Sequence, residues 1–458
     1  MKVNEYTLMS DIPVSIFKAY DIRGLASGEL TEEIAFRVGQ ALVAETGADT
    51  VLVGRDMRET SPAYEAATVA GILSQGADAI RIGLTTTPMF YFAVAHYELH
   101  DAGIMVTASH NPSEYNGFKL VRSDAMPIGR GSGMEEIRDR VVAGRLPESP
   151  AGKDVATDVI DAYVSRLVEL VPPGSIGKMR IAIDAGNGMA GHTLPKVLAA
   201  YPSLETDRLY FGLDGTFPNH EANPIKYETL NDLQSEVRAT GAAFGVAFDG
   251  DADRVGFVDE NGAVIEAHYV LALLATEYLL ENPGATILYD VRCSRSVTDA
   301  ISDAHGRAIM TPVGHAFIKK ILRETGAVLG GELSSHFYFK DFYGVECSDL
   351  VFLKLAAIVS REGKTLSGLI APFRTWVHSG EINFKVEDKL AAIRAVEDKY
   401  ASSAKSVWRE DGVRLDFEDW WFSIRSSNTE PLLRLVVEAR TPELMTEKRD
   451  EIVKVIKG

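Results

Sequence analysis

Cysteine is nearly absent: only Cys293 and Cys347 occur in 458 residues. Two thiols cannot build a disulfide framework, so a reducing cytoplasm is the expected setting. Long apolar runs are missing as well. The richest stretches, 269–280 and 351–359, are too short or too interrupted to span a bilayer. Residues 1–10 are polar and lack the apolar centre of a secretory signal, so no membrane partner is expected. Basic charge is in deficit, with 47 Lys and Arg against 65 Asp and Glu and a formal net charge of −18. That field disfavours nucleic acid and anionic lipid as partners; an anionic small molecule would need a locally basic pocket. What remains is an ordinary globular composition, 46% hydrophobic and 24% charged. The chain is too long for one core of roughly 100–200 residues, so several domains are expected.

The pattern along the chain repeats. Strand-like runs at 51–56, 181–186 and 287–292 each lead through a helical segment to a second strand, at 79–82, 206–211 and 308–311. A third strand follows each time, at 103–106, 245–248 and 327–329, and runs into an unusual polar loop. The loops read Thr107-Ala108-Ser109-His110-Asn111-Pro112, Asp249-Gly250-Asp251-Ala252-Asp253-Arg254 and Gly331-Glu332-Leu333-Ser334-Ser335-His336. Three matching units with the odd loop in the same place look like an internal repeat. Ligands gather at the carboxyl ends of strands in open α/β sheets, so the loops are expected to share one cleft. Past about residue 370 the texture changes to a smaller α+β module: strand 381–386, helix 390–400, strands 420–425 and 432–439, helix 441–456. Its two late strands flank Ser426-Ser427-Asn428-Thr429-Glu430-Pro431, bounded by Arg425 and Arg434.

Each loop carries its own chemistry beside a plainer alternative. Asp249, Asp251 and Asp253 alternate in an extended segment and can present three hard oxygen ligands to one side, which suits Mg²⁺ or Ca²⁺ better than zinc. An EF-hand calcium loop is a rival, with Glu260 at its last ligand position. Arg254 at the sharp-turn glycine position and strand-like flanks count against it. An Asp-rich surface turn is the simplest alternative. Ser109 reads either as a phosphorylatable nucleophile or as a turn or helix cap. A Ser-His-Asp hydrolase fits poorly, since His110 is the adjacent residue and no Gly-x-Ser-x-Gly elbow surrounds the serine. Lys119 is a candidate general base, its pKa expected to fall beside a metal and an arginine, and His315 is a second candidate; a solvated lysine and a structural histidine are the alternatives. Glu332, Ser334 and His336 offer the donors and acceptors that sugar hydroxyls need. Ser427, Asn428 and Thr429 offer amides and hydroxyls for phosphate oxygens, with Arg425 able to fork onto the same group; a hairpin turn with a surface arginine is the alternative.

Taken in this order, the four loops resemble the α-D-phosphohexomutase superfamily over nearly the whole chain. The segments Phe17-Lys18-Ala19-Tyr20-Asp21-Ile22-Arg23-Gly24, Asn116-Gly117-Phe118-Lys119 and Ser427-Asn428-Thr429-Glu430-Pro431 are similar to its phosphomannomutase/phosphoglucomutase branch. The resemblance implies four domains around a central cleft, three similar mixed α/β sandwich domains and a smaller C-terminal α+β domain. We expect a phosphoserine domain at 1–154, a metal-binding domain at 155–257, a sugar-binding domain at 258–370 and a phosphate-binding domain at 371–458. It further implies Mg²⁺ on Ser109, Asp249, Asp251 and Asp253, and a hexose 1,6-bisphosphate that reorients between two phosphoryl transfers. Catalysis would rest on Ser109, Lys119, Arg23 and His315. Substrate would be bound by Tyr20, Arg254, Glu332, Ser334, His336, Arg425, Ser427, Asn428, Thr429 and Arg434, with Arg55 behind the serine loop. The implied activity interconverts hexose 1-phosphate and hexose 6-phosphate, of mannose, glucose or both, in a monomer or homodimer. A phosphoglucosamine mutase and a phosphoserine-dependent sugar phosphatase are the alternatives. Two departures stand out: Ser335 where the family usually has glycine, and Cys347-Ser348-Asp349 where an Asp-Gly match is expected.

Overall fold

The computed structural model describes residues 12–427 and 431–457, and among these lie four sheets. In the first, Thr50–Arg55 is central, with Asp78–Leu84 and Ala102–Val106 parallel on either side. Val51, Leu52 and Val53 are all fully buried, as a parallel strand covered on both faces requires. Ala102–Val106 then returns antiparallel as Tyr115–Arg122. The second sheet repeats the plan: Met179–Asp184 lies between Leu204–Leu209 and Gly245–Phe248, and the latter returns as Val255–Val258. The third repeats it again, with Thr286–Asp290 between Arg307–Thr311 and Leu329–Gly331, returning as Phe337–Phe339. The internal repeat is therefore structural. Each unusual loop joins the third strand of its unit to an antiparallel return.

Three boundaries differ from expectation. The last third strand lies at Leu329–Gly331 rather than 327–329, because Gly330 and Gly331 pair with Leu288 and Tyr289 instead of opening the loop. The second sheet runs on through Val264–Ile265, past residue 257, since the turn around Gly262 folds that strand back onto Val255–Val258. Asp154–Ala156 closes the edge of the first sheet beside Asp78–Leu84, across residue 154.

One apolar cluster runs through the first three domains and includes Phe92, Tyr163, Leu194, Phe244, Phe337 and Phe352. The fourth domain has its own core, with Val396, Leu415, Phe422, Leu435 and Ile452. There Trp420–Ser426 and Leu433–Ala439 form a hairpin backed by the helices Lys389–Tyr400 and Pro442–Lys457. Polar contacts tie this domain to the third: Arg295 pairs with Asp416 at 3.0 Å, and Arg414 donates to the Val291 carbonyl at 2.9 Å. The architecture is thus three mixed α/β domains and a smaller α+β domain around a central cleft. Among the described residues no helix is long and apolar enough to cross a membrane.

Candidate active site

The serine loop leaves its strand in a conformation that few side chains adopt. Ser109 has a φ of 52°, in the left-handed region where non-glycine residues are uncommon. What holds it there is a buried guanidinium. Arg58, 1% exposed, donates through Nη2 to the carbonyls of Ser109 (2.8 Å) and Asn111 (2.6 Å). Through Nη1 it reaches those of Pro112 (2.7 Å) and Tyr115 (2.9 Å). Its Nε lies 3.2 Å from Asp56 Oδ2, and Asp56 Oδ1 accepts from the Arg58 amide at 3.0 Å. The place expected for Arg55 belongs to Arg58 instead: Arg55 points along the first domain and pairs with Glu65 at 2.8 Å.

The metal loop meets the serine loop head on. Ser109 Oγ donates to Asp249 Oδ2 at 2.8 Å. Gly250 is obligatory at this junction, since a Cβ there would sit 2.4 Å from the Ser109 carbonyl oxygen. Asp249, Asp251 and Asp253 are all buried, and one carboxylate oxygen from each lies within 4.8 Å of the others. Asp251 Oδ1 has no hydrogen bond among the described residues, while its Oδ2 accepts from Thr87 at 2.6 Å and Thr107 at 3.3 Å. A buried all-oxygen set with an unsatisfied carboxylate oxygen fits a hard divalent cation such as Mg²⁺. Lys119 ion-pairs with Asp251 at 3.0 Å and more tightly with Asp253. The sequence leads one to expect a depressed pKa for this lysine. The structure gives the opposite direction: burial lowers it, but Asp251 and Asp253 outweigh burial and hold it well above the ordinary value. Burial and the two neighbouring carboxylates push Asp249 up; burial also opposes ionisation of Asp253, but Lys119 and His336 keep it low.

His336 links the metal loop to the third loop. Its Nε2 is 3.2 Å from Asp253 Oδ1 and its Nδ1 is 3.2 Å from Glu332 Oε2. Burial alone would depress the imidazole, yet the two carboxylates raise it to about 9. Burial would raise Glu332, but His336, then Arg292 and the Tyr338 hydroxyl, bring it down to about 2. Glu332 also accepts from the Tyr338 hydroxyl (2.7 Å) and the Gly314 amide (2.9 Å). Ser335 sits at φ +67°, which is the backbone reason a glycine suits this position. The departure at Cys347-Ser348-Asp349 underpins the metal loop, since the Ser348 hydroxyl donates to the Ala252 carbonyl.

The remaining expected residues divide into groups. Arg23 sits beside the serine loop, donating to Asn111 Oδ1 at 2.8 Å and to Asp21. Tyr20 donates to the Val313 carbonyl at 2.8 Å and packs edge-on against His315, 5.6 Å between ring centroids. Burial first, then Lys319, Lys119 and His336, hold the His315 imidazole well below its ordinary pKa. Arg254 approaches Asp249 at 4.0 Å. Arg425 is buried and pairs with Asp411 at 2.9 Å, and Arg434 pairs with Glu381 at 3.0 Å. Ser427 donates its amide to the Leu432 carbonyl at 2.8 Å; Asn428 and Thr429 lie outside the described residues.

Arg58 and Arg292 escape the sequence reading although a signal for both is present. Each stands in an Asp-x-Arg run at the carboxyl end of the first strand of its unit. In each the arginine amide donates to that aspartate, at 3.0 Å from Arg58 to Asp56 and 2.7 Å from Arg292 to Asp290. The second unit has Gly186 there, bonded to Asp184 at 2.8 Å. Asp290 also accepts from the Leu333 amide at 2.9 Å and so fixes the third loop.

Known proteins resemble this chain over most of its length. Residues 14–146, 161–262 and 266–375 match phosphoglucomutase/phosphomannomutase alpha/beta/alpha domains I, II and III, and residues 381–455 match the C-terminal domain of the same family. The chain is 40% identical to a protein named phosphohexose mutases from Xanthomonas campestris pv. campestris (strain B100), over 96% of its own length and 99% of the relative's. It is 38% identical to a phosphomannomutase of Escherichia coli (strain K12), covering 95% and 97%. A solved phosphoglucomutase/phosphomannomutase family protein from Burkholderia thailandensis superposes with a TM-score of 0.88 at 35% identity, covering 97% of this chain and 98% of that one.

Proposed function

The chain belongs to the phosphoglucomutase/phosphomannomutase family and is a phosphohexomutase, and from that premise we propose that it moves phosphate between C1 and C6 of mannose, glucose or both, through phospho-Ser109 and a 1,6-bisphosphate. The observation that carries the reading is the 2.8 Å bond from Ser109 Oγ to Asp249 at the mouth of a buried three-carboxylate cluster. A phosphate on that oxygen would lie among Lys119, Arg254 and His336, the cations nearest the cluster.

The phosphorylated serine gives its phosphoryl group to the free hydroxyl of a bound hexose monophosphate. The bond from phosphorus to Ser109 Oγ breaks and one to the sugar oxygen forms. Lys119 takes the hydroxyl proton and returns it to Ser109 Oγ, and the reverse transfer after the bisphosphate turns restores phospho-Ser109. Asp249, Asp251, Asp253 and the serine phosphate would hold Mg²⁺, which supplies charge stabilisation to the phosphoryl oxygens. Asp251 and Asp253, which would hold the ion, are also the two partners that keep Lys119 protonated, so ion binding would weaken that hold on its proton. Arg254 faces the transferring group, and Arg23 and His315 complete the walls around it. Glu332, Ser334 and His336 hold sugar hydroxyls. Arg425, Ser427, Asn428, Thr429 and Arg434 hold the distal phosphate, with Tyr20 across the cleft. The division of labour follows the four domains, with the first sheet running to about residue 156, the second to about 265, and the smaller domain from about 371. The setting that fits is the cytoplasm, for a monomer or homodimer that needs no nucleic acid or membrane.

Replacing Ser109 by Ala tests the assignment. Turnover should fall by at least about 10³-fold, and intact mass should find a phosphate on the wild-type chain and none on the variant. Near-normal turnover of the variant would remove Ser109 from the mechanism.

A further inference from the structure

The pocket assigned to the distal phosphate already holds an anion, a carboxylate of the chain itself. Glu381 lies where the third domain passes into the fourth, just before the strand Ile382–Phe384. Its Oε1 is 3.0 Å from Arg434 Nη1, and its Oε2 is 3.5 Å from Arg292 Nη1 and 3.9 Å from Arg425 Nη1. Arginines from two domains thus converge on one carboxylate that is about one-fifth exposed. Arg292, from the end of the strand Thr286–Asp290, links this point to the sugar loop, its Nη2 lying 3.4 Å from Ser334 Oγ. Arg425 Nη1 is buried and makes no hydrogen bond among the described residues. Its charge faces Glu381 at 3.9 Å.

The reaction proposed above demands something unusual of this pocket. Each turnover requires the bisphosphate to release one phosphate from it, turn, and insert the other. Arg292 already pairs with Asp290 at 2.6 Å and Arg425 with Asp411 at 2.9 Å, so among the described residues Glu381 is the one carboxylate all three arginines share. Without it they would hold a phosphate dianion more firmly than that exchange allows. We infer that Glu381 is an internal counter-anion of the distal-phosphate pocket, which the phosphate must displace on entry and which takes the arginines back on exit. It is a positioning residue rather than a catalytic one, because it acts on the sugar phosphate through the guanidinium groups. The inference rests on the mutase reading for its purpose, but the competition itself is a property of binding.

The experiment compares wild type with Glu381→Gln, which keeps the shape and one acceptor and removes the charge. Inorganic phosphate is titrated against each protein and its ³¹P line broadening followed, and KM and kcat are measured alongside. Removing the like charge should tighten phosphate binding and lower KM by about tenfold each, and kcat should fall because release slows. The gain should shrink as salt is raised. Glu381→Ala, which removes the stem as well, should move phosphate affinity in the same direction. Unchanged or weaker phosphate binding in both variants would mean that Glu381 only aligns the arginines, and would overturn the inference. That result leaves the mutase reading intact if the wild type turns over. A wild type that binds phosphate but interconverts no hexose phosphate would instead sink the proposed function.

Discussion

Replacing Arg58 by Lys tests how the serine loop is held. Arg58 serves four carbonyls of residues 109–115 from two nitrogens, and its planar fork meets them all at once. A lysine ammonium in the same place is a single point and reaches about two of them. Three of the four carbonyls are only partly buried, so each one left behind costs nearer the lower end of the about 1–3 kcal/mol of an orphaned buried acceptor, and the loss is roughly 2–4 kcal/mol. Charge is preserved, so Asp56 keeps a partner and the fold should survive. The loop carrying Ser109 is what gives way, and its unfavourable φ of 52° has no other such clamp among the described residues. We expect kcat to fall by about 30–1,000-fold, as 2–4 kcal/mol on the reactive geometry implies. KM should stay within about threefold, since Arg58 is fully buried behind the loop. The assay is coupled turnover over a range of hexose 1-phosphate concentrations, with circular dichroism to confirm folding. A folded Lys variant with kcat within twofold of wild type would refute the clamp.

Three further outcomes follow from side chains around the site. Ser335→Gly relieves a left-handed serine and should stabilise the protein by up to about 1 kcal/mol in denaturant unfolding; a loss would show that the serine hydroxyl matters more than the backbone. Lys319 is fully buried, 2.6 Å from the equally buried Glu346 and over the ring of Tyr91. Lys319→Met should therefore cost about 3–5 kcal/mol by leaving Glu346 uncompensated, and adding Glu346→Leu should recover most of it; if the double variant is no better, the isolated charge is not the cause. Asp349 is raised to about 6 by burial, although the Tyr163 hydroxyl donates to it at 2.7 Å. Because its folded pKa lies above its unfolded one, its stabilising contribution is complete below about pH 4 and lost as pH rises through about 6. Asp349→Asn should accordingly gain stability relative to wild type by about 3 kcal/mol between pH 4 and pH 7. A pH-independent difference in unfolding free energy would contradict that.

Much of this was legible because the chemistry sits at repeated places. A buried parallel strand reads as an apolar run, and the polar loop after each third strand stands out against it; hence the loops of Ser109, Asp249 and Glu332 stand out by spacing, while the roles of those residues come from the family resemblance. Arg58 could not be found so easily. Its function is to bond backbone carbonyls, and carbonyls leave no mark in a sequence, so Arg55 looked equally suitable. The repeated Asp-x-Arg at Asp56–Arg58 and Asp290–Arg292 was the available clue, blurred by Gly186 in the second unit. Gly330 and Gly331 read as loop because glycine signals turns, but there it serves close packing in a strand, where a Cβ on Gly331 would meet Leu271 at 2.7 Å. The direction of the Lys119 shift depended on which charges lie nearest in space. Asp251 and Asp253 come from another domain, and sequence proximity says nothing of that.

The most direct test of the account is ³¹P NMR of mannose 1-phosphate, and separately glucose 1-phosphate, incubated with the protein, Mg²⁺ and a trace of glucose 1,6-bisphosphate. The account predicts conversion of at least one sugar to its 6-phosphate, without build-up of inorganic phosphate. Release of inorganic phosphate in place of the 6-phosphate would mean that phospho-Ser109 passes its group to water, and would contradict the mutase mechanism.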